Sequence, residues 1–316
     1  MKKNFAFSKF GRFGFALLAS VVTLSACDKD DDDEPTMDTI TNTVVKNNNF
    51  SILESAVIKA GLAETLNGTG PFTVFAPDDN AFNASGINSG AIAGLSADAL
   101  EDILLYHTLG AKVTAADVPA GPNAAVTTAG GGTVYVTKNN NGVFVNGWKV
   151  TTPDINASNG VIHAIERVLM PPAGNLVVTA QANSNLTYLV AAVVRASEGT
   201  TNVAQVLTSA GPYTVFAPTN DAFIAAGFPT IASIQAADPN TLASILTYHV
   251  LSARAFSSDL VNGQELTTVN GGKLAVALGN GATVKGKTNT TASNITAANI
   301  LATNGVVHVI DRVLLP

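Results

Sequence analysis

Cysteine is nearly missing from this 316-residue chain, which has one, Cys27. The sequence therefore offers no set of cysteine ligands for a zinc site. Histidine is also scarce: His107, His163, His249 and His308 are the only four. They sit two to a half, on different elements and without clustered carboxylates, so neither a metal nor another cofactor is expected. No Gly-x-Ser-x-Gly elbow occurs, no nucleophile stands beside a base, and no free thiol remains if Cys27 is modified. No catalytic residue is assigned, and an enzyme is the least favoured class. Basic charge is short as well, with 17 Lys and Arg against 23 Asp and Glu. A net acidic surface argues against nucleic acid or anionic lipid as a partner. The apolar run near the start, Phe13 to Leu24, falls short of the about 20 residues a spanning helix needs.

What the chain has in plenty is itself, twice. Gly70 to Phe82 reads GPFTVFAPDDNAF and Gly211 to Phe223 reads GPYTVFAPTNDAF, with nine of thirteen positions identical. Each copy opens on Gly-Pro, alternates Thr, Val and aromatic residues like a half-buried strand, and stops at Pro77 or Pro218. Asp78 and Thr219 follow at once as N-caps of a short helix that carries Phe82 or Phe223 inward. A second stretch repeats in the same way, NGVIHAIERVLMP from Asn159 and NGVVHVIDRVLLP from Asn304. Between the two, ALEDILLYHTLGA around Tyr106-His107 answers TLASILTYHVLSA around Tyr248-His249. The spacing from copy to copy is domain-sized, well above the roughly 20 to 50 residues of a solenoid repeat.

These three ordered motifs resemble the fasciclin (FAS1) domain: TVFAP-x-[ND]-x-AF is similar to its first signature and NGV-[IV]-H-x-I-x-RVL-x-P to its second. The resemblance covers nearly everything after residue 37. It implies exported or surface-attached modules that bind matrix or other partners, with no general catalytic activity. In animal members the Tyr-His region and an Asp-Ile pair before the second signature are linked to cell attachment. By that resemblance the candidate partner-binding residues are Tyr106, His107, Tyr248, His249, Asp154 and Ile155, while the second copy departs, having Asn299-Ile300.

Residues 1–26 have the shape of a lipoprotein signal peptide. Lys2, Lys3, Lys9 and Arg12 precede the apolar run, and Leu24-Ser25-Ala26-Cys27 resembles a lipobox, which makes Cys27 the expected lipid-attachment site. Two or more acyl chains would anchor the protein stably without a transmembrane helix. Residues 27–37 form an acidic tether around Asp28-Lys29-Asp30-Asp31-Asp32-Asp33-Glu34, too self-repelling to fold. An acidic stretch behind a lipidated cysteine also resembles the surface-export signal of Bacteroidetes lipoproteins, which points to the outer face of the outer membrane.

The expected domains are 38–172 and 173–316, each α+β, a helical layer packed on a β-rich wedge. In the first, Ile52, Leu53, Ala56, Val57 and Ala60 recur at helical spacing. Ser96 caps a helix whose Leu100, Ile103, Leu104 and His107 share one face, which turns His107 to the core, as Leu242, Ile245, Leu246 turn with His249. Tyr106 and Tyr248, one step round the helix, are then free to show a ring or hydroxyl to solvent. From Asn123 the text turns to short β-rich runs broken by Asn-Gly pairs, which are hairpin signals. Pro171-Pro172-Ala173-Gly174 makes a short, stiff join. Gly281 to Thr288 matches the phosphate-loop pattern G-x-x-x-x-G-K-[ST], but poor helix formers follow it, so it is a decoy. The chain thus reads as a lipid-anchored surface adhesion or binding protein that recognises an extracellular protein or glycan. The rival reading is a periplasmic structural or accessory lipoprotein.

Overall fold

A computed structural model describes residues 37–279 and 281–316. Cys27 and the rest of the leader and tether up to Thr36 lie outside the described residues. The first module opens with α1 (Ile40–Lys46), α2 (Ser51–Lys59) and α3 (Ala63–Asn67), then places the single strand β1 (Phe72–Pro77) before α4 (Asp79–Ala84), α5 (Ser89–Gly94) and α6 (Ala97–Tyr106). Strands complete it: β2 (Thr108–Leu109), β3 (Gly121–Thr127), β4 (Thr133–Asn139), β5 (Gly142–Val145), β6 (Trp148–Ala157) and β7 (Gly160–Ile165). The second module repeats the series with α7 (Leu176–Gln181), α8 (Thr187–Ala196), α9 (Val203–Thr208), β8 (Tyr213–Pro218), α10 (Asn220–Ala225), α11 (Ile231–Gln235) and α12 (Pro239–Tyr248). Its strands are β9 (Val250–Leu251), β10 (Glu265–Thr267), β11 (Lys273–Gly279), β12 (Gly281–Lys285), β13 (Ser293–Ala302) and β14 (Gly305–Ile310).

The helices start where capping chemistry allows. Asp78, Thr219, Ser96 and Asp238 each accept a hydrogen bond from the backbone N–H three residues on, which satisfies a donor the first turn leaves free. Pro77 and Pro218 end their strands as the sequence indicates. The phosphate-loop lookalike is a strand, β12, leading through a bend to β13, with no helix after it.

Each module holds one seven-stranded sheet, in the orders β2-β1-β7-β6-β5-β4-β3 and β10-β11-β12-β13-β14-β8-β9. Pairing is antiparallel except one strand in from an edge, where β1 runs parallel to β7 and β8 to β14. That exception forces the chain to leave through the helices and return through the hairpins before its last strand can close beside its first. The two repeated signatures meet there, Phe75 against His163 and Phe216 against His308. Gly160 and Gly305 begin the closing strands because the approach is so tight: a Cβ would sit 2.1 Å from the Phe72 carbonyl oxygen in one and 2.3 Å from that of Tyr213 in the other.

Asn159 explains why both copies of the second stretch open on Asn. Its Oδ1 accepts from the Ile40 N–H at 2.9 Å, and its Nδ2 donates to the carbonyls of Leu66 and Gly68. Asn304 makes the same three bonds, to Leu176, Leu207 and Ser209. One amide thus ties the first helix of a module to its last strand. Apolar side chains fill two spaces per module, one between helices and sheet around Leu53, Leu100 and Ile162, the other inside the curled ribbon around Val134, Val145 and Ile165. The second module repeats both.

Candidate functional site: the cleft between the modules

The repeated Tyr-His pair lies at the end of α6 and of α12, where the chain turns from helix to sheet. His107 donates from Nδ1 to the Ile103 carbonyl at 2.7 Å and accepts at Nε2 from the Leu169 N–H at 2.8 Å. His249 does the same with Ile245 and Leu314. Burial pushes both imidazoles down to about 4, partly offset by the backbone carbonyl each one meets. His163 and His308 carry the opposite tautomer, donating from Nε2 to Val113 and Ala255 and accepting at Nδ1 from the N–H of Asp154 and Asn299. All four rings have both nitrogens engaged. Among the described residues no group of three or more His, Cys, Asp or Glu gathers as a metal site would require.

The tyrosines differ from expectation. Tyr106 and Tyr248 are buried, at 2 % and 0 % exposure, because the ribbon curls over the helix end from the far side. Tyr106 donates its hydroxyl to the Thr133 carbonyl and accepts from Asn146 Nδ2. Tyr248 donates to Lys273 and accepts from the Lys287 N–H. Desolvation raises the Tyr106 phenol to about 12. As partner-binding candidates, Tyr106, His107, Tyr248 and His249 must be corrected: each sits inside its module and presents no surface.

Asp154 and Asn299 occupy matching irregularities in β6 and β13, where the register slips against the closing strand. Both adopt left-handed backbone, φ 57 and 62, which Asp and Asn tolerate better than most residues. The Asp154 carboxylate accepts from the Ala115 N–H and its side chain is 41 % exposed. Ile155 beside it is half-buried against the helical core. Asn299 accepts from the equivalent Ser257 N–H but is 5 % exposed, because its Nδ2 donates across to the Gly147 carbonyl of the first module.

That bond belongs to an interface joining the modules. Phe256 is fully buried among ribbon residues of the first module and packs 6.1 Å from the Tyr135 ring centre. The Arg254 guanidinium stacks 3.8 Å over the same tyrosine. Asp259 accepts from Asn123 Nδ2 and Thr137 Oγ1. Beside this contact opens a cleft of about 820 Å3 walled by both modules. Trp148, the chain's single tryptophan, lies half-buried in it with the Arg167 guanidinium 5.3 Å from its ring centre. Asn183, Ser184 and Thr296 supply polar groups from the second module. Nothing in the repeat pointed to these residues, since the cleft exists only where two unlike faces meet. The one available signal was a lone Trp following an Asn-Gly turn in a chain poor in aromatics.

Two copies of one α+β module, locked by the same histidine and asparagine bonds and docked into a pair, define a tandem-module protein. Residues 48–171 and 184–316 each match the fasciclin domain model, and the chain belongs to that family. It is similar to the protein sll1483 of Synechocystis sp., 41 % identical over 138 residues, which covers 42 % of this chain and 74 % of that one. Human periostin is 29 % identical over 279 residues, covering 84 % of this chain but only 30 % of periostin. A solved FAS1 domain pair from the insect cell adhesion molecule fasciclin I shares 19 % identity at a TM-score of 0.41, covering 87 % of this chain and 96 % of that one. Among the described residues no helix is long and apolar enough to cross a membrane.

Proposed function

We propose that this protein is a lipid-anchored adhesion or binding protein, held to the outer face of the outer membrane through acylated Cys27, that recognises an extracellular protein or glycan in the cleft between its fasciclin domains. The observation that carries the reading is the cleft itself: its size suits a ligand or a protruding chain, and it lies at a domain boundary. Trp148 offers an aromatic face, and Arg167 with the facing amides and hydroxyls offers hydrogen-bond partners. The role is binding without catalysis.

The test is a glycan and matrix-protein array probed with the mature protein and its Trp148→Ala variant. A ligand whose binding drops at least tenfold in the variant supports the cleft, and a ligand bound equally by both proteins rules it out. Protease shaving of intact cells tests the location, since only a surface protein is removed. Cys27→Ser should abolish processing and membrane retention; unchanged detergent partitioning would sink the anchor.

A further inference from the structure

The two modules enclose very different spaces at the same place. Between the first helices and the sheet, the first module has an apolar cavity of about 60 Å3, the second one of about 220 Å3. Native interiors seldom keep voids much larger than a water molecule, so the larger space stands out against its own internal control. The equivalences follow from matching hydrogen bonds: the Ile40 and Leu176 N–H groups meet Asn159 and Asn304, and the Ile52 and Tyr188 N–H groups meet Asp79 and Asn220. Val44 of the first module thus corresponds to Ala180, Ile58 to Val194 and Ile162 to Val307. Val44 and Ile58 border the smaller cavity and Val307 the larger one, and the three exchanges together remove four carbon atoms.

The mouth changes in the same direction. Glu54, which borders the smaller cavity, is replaced by Val190, so the larger one opens without a carboxylate at its rim. Val194, 61 % exposed, continues the apolar surface outward, and Gln181 supplies a neutral amide there. Deeper in, the walls are Leu176, Leu189, Val193, Leu207 and Leu246, all aliphatic. His249 borders the space too, but both its nitrogens are engaged elsewhere and it adds only ring surface.

We propose that the second module binds a single aliphatic chain, such as that of a medium-chain fatty acid, between α7, α8 and the sheet, with the polar head at Gln181. Apart from Gln181 at the mouth the lining has no donor or acceptor left over, and its only ring is that of His249, bonded elsewhere through both nitrogens, which favours a flexible hydrocarbon. An apolar cavity of ~150 Å3 takes a six-carbon ring, so this one takes roughly nine carbons. Val307 borders both this space and the cleft, but Trp148 and Arg167 line the cleft alone.

Titrating the mature protein with hexanoate, octanoate and decanoate by calorimetry tests this. Each added methylene should tighten binding about fourfold until the cavity is full, near decanoate. Ala180→Leu combined with Val307→Ile returns four carbon atoms to the space, adds only apolar volume, and should cut decanoate affinity at least tenfold while the protein stays folded. Trp148→Ala should leave decanoate binding as it is. Absence of binding by all three acids, affinity that ignores chain length, or undiminished decanoate binding in the refilled protein would each overturn the assignment.

Discussion

Domain two spends its loop-and-bulge face on its neighbour, and domain one leaves the same face open. Arg254, Phe256, Asp259 and Asn299 grip the first ribbon. Their counterparts by hydrogen-bond position are Lys112, Thr114, Asp117 and Asp154, and of these Lys112, Asp117 and Asp154 are exposed and Thr114 half-buried. The backbone is the same, down to the left-handed residue in the bulge. What differs is one guanidinium, one aromatic anchor and one amide. A conserved frame therefore sets where a contact can form, and a few side chains decide whether it does.

The largest test of that contrast is Phe256→Ala, which should cost about 3–5 kcal/mol as a large buried side chain is lost between the modules. Thr114→Ala, at the matching place, should stay within about 0.5 kcal/mol. Denaturant melts of both variants check the pair, and similar losses would break the comparison.

Acid should strike the modules alike. His107 and His249 bind protons more weakly folded, at about 4, than unfolded, at 6.5. The unfolded chain therefore takes up more protons between those values. The native advantage is complete above pH 6.5 and is lost as the pH falls through about 4, on the order of 3 kcal/mol for each histidine. Imidazole proton NMR should show neither ring titrating above pH 5; a midpoint near 6.5 in one alone would reveal an inequality that the hydrogen bonds do not.

Exchanging the bulge residues comes next. Asn299→Asp sets an acceptor-only carboxylate against the Gly147 carbonyl and should cost about 1–3 kcal/mol. Asp154→Asn keeps its acceptor for Ala115 and should be silent in a melt. The smallest effect is on binding. If a partner uses the open face, Asp154→Asn weakens it by less than tenfold, and the loss shrinks with added salt, as expected of a carboxylate at a solvated rim. Undiminished binding would remove Asp154 from the contact.

Much of each module was legible because its signals are local. Caps, strand-ending prolines and helical spacing act within four residues, and they placed Asp78, Pro77 and the inward turn of His107 correctly. Tyr106 and Tyr248 were misread for a definite reason. Helical spacing shows which face meets one layer, but a ribbon from 27 or 25 residues later closes over the other face. The module interface lay deeper still, since Phe256 stands in a loop outside all three repeated stretches. A phenylalanine where the first copy has Thr114, and Asn299 where it has Asp154, were its traces.

The parallel pairing of opening and closing strands in each sheet gives the fold a mechanical character. In a module stretched by its ends, the opening strand is drawn one way and its parallel neighbour, the closing strand, the other. The ladder between β1 and β7 spans six residue pairs, and so does that between β8 and β14. Loaded this way, the rungs slide together in shear, where an antiparallel hairpin would unzip one rung at a time. A tether that hauls on the start of the chain while a ligand holds the far module would meet its stiffest resistance at the two strands that carry the repeated signatures.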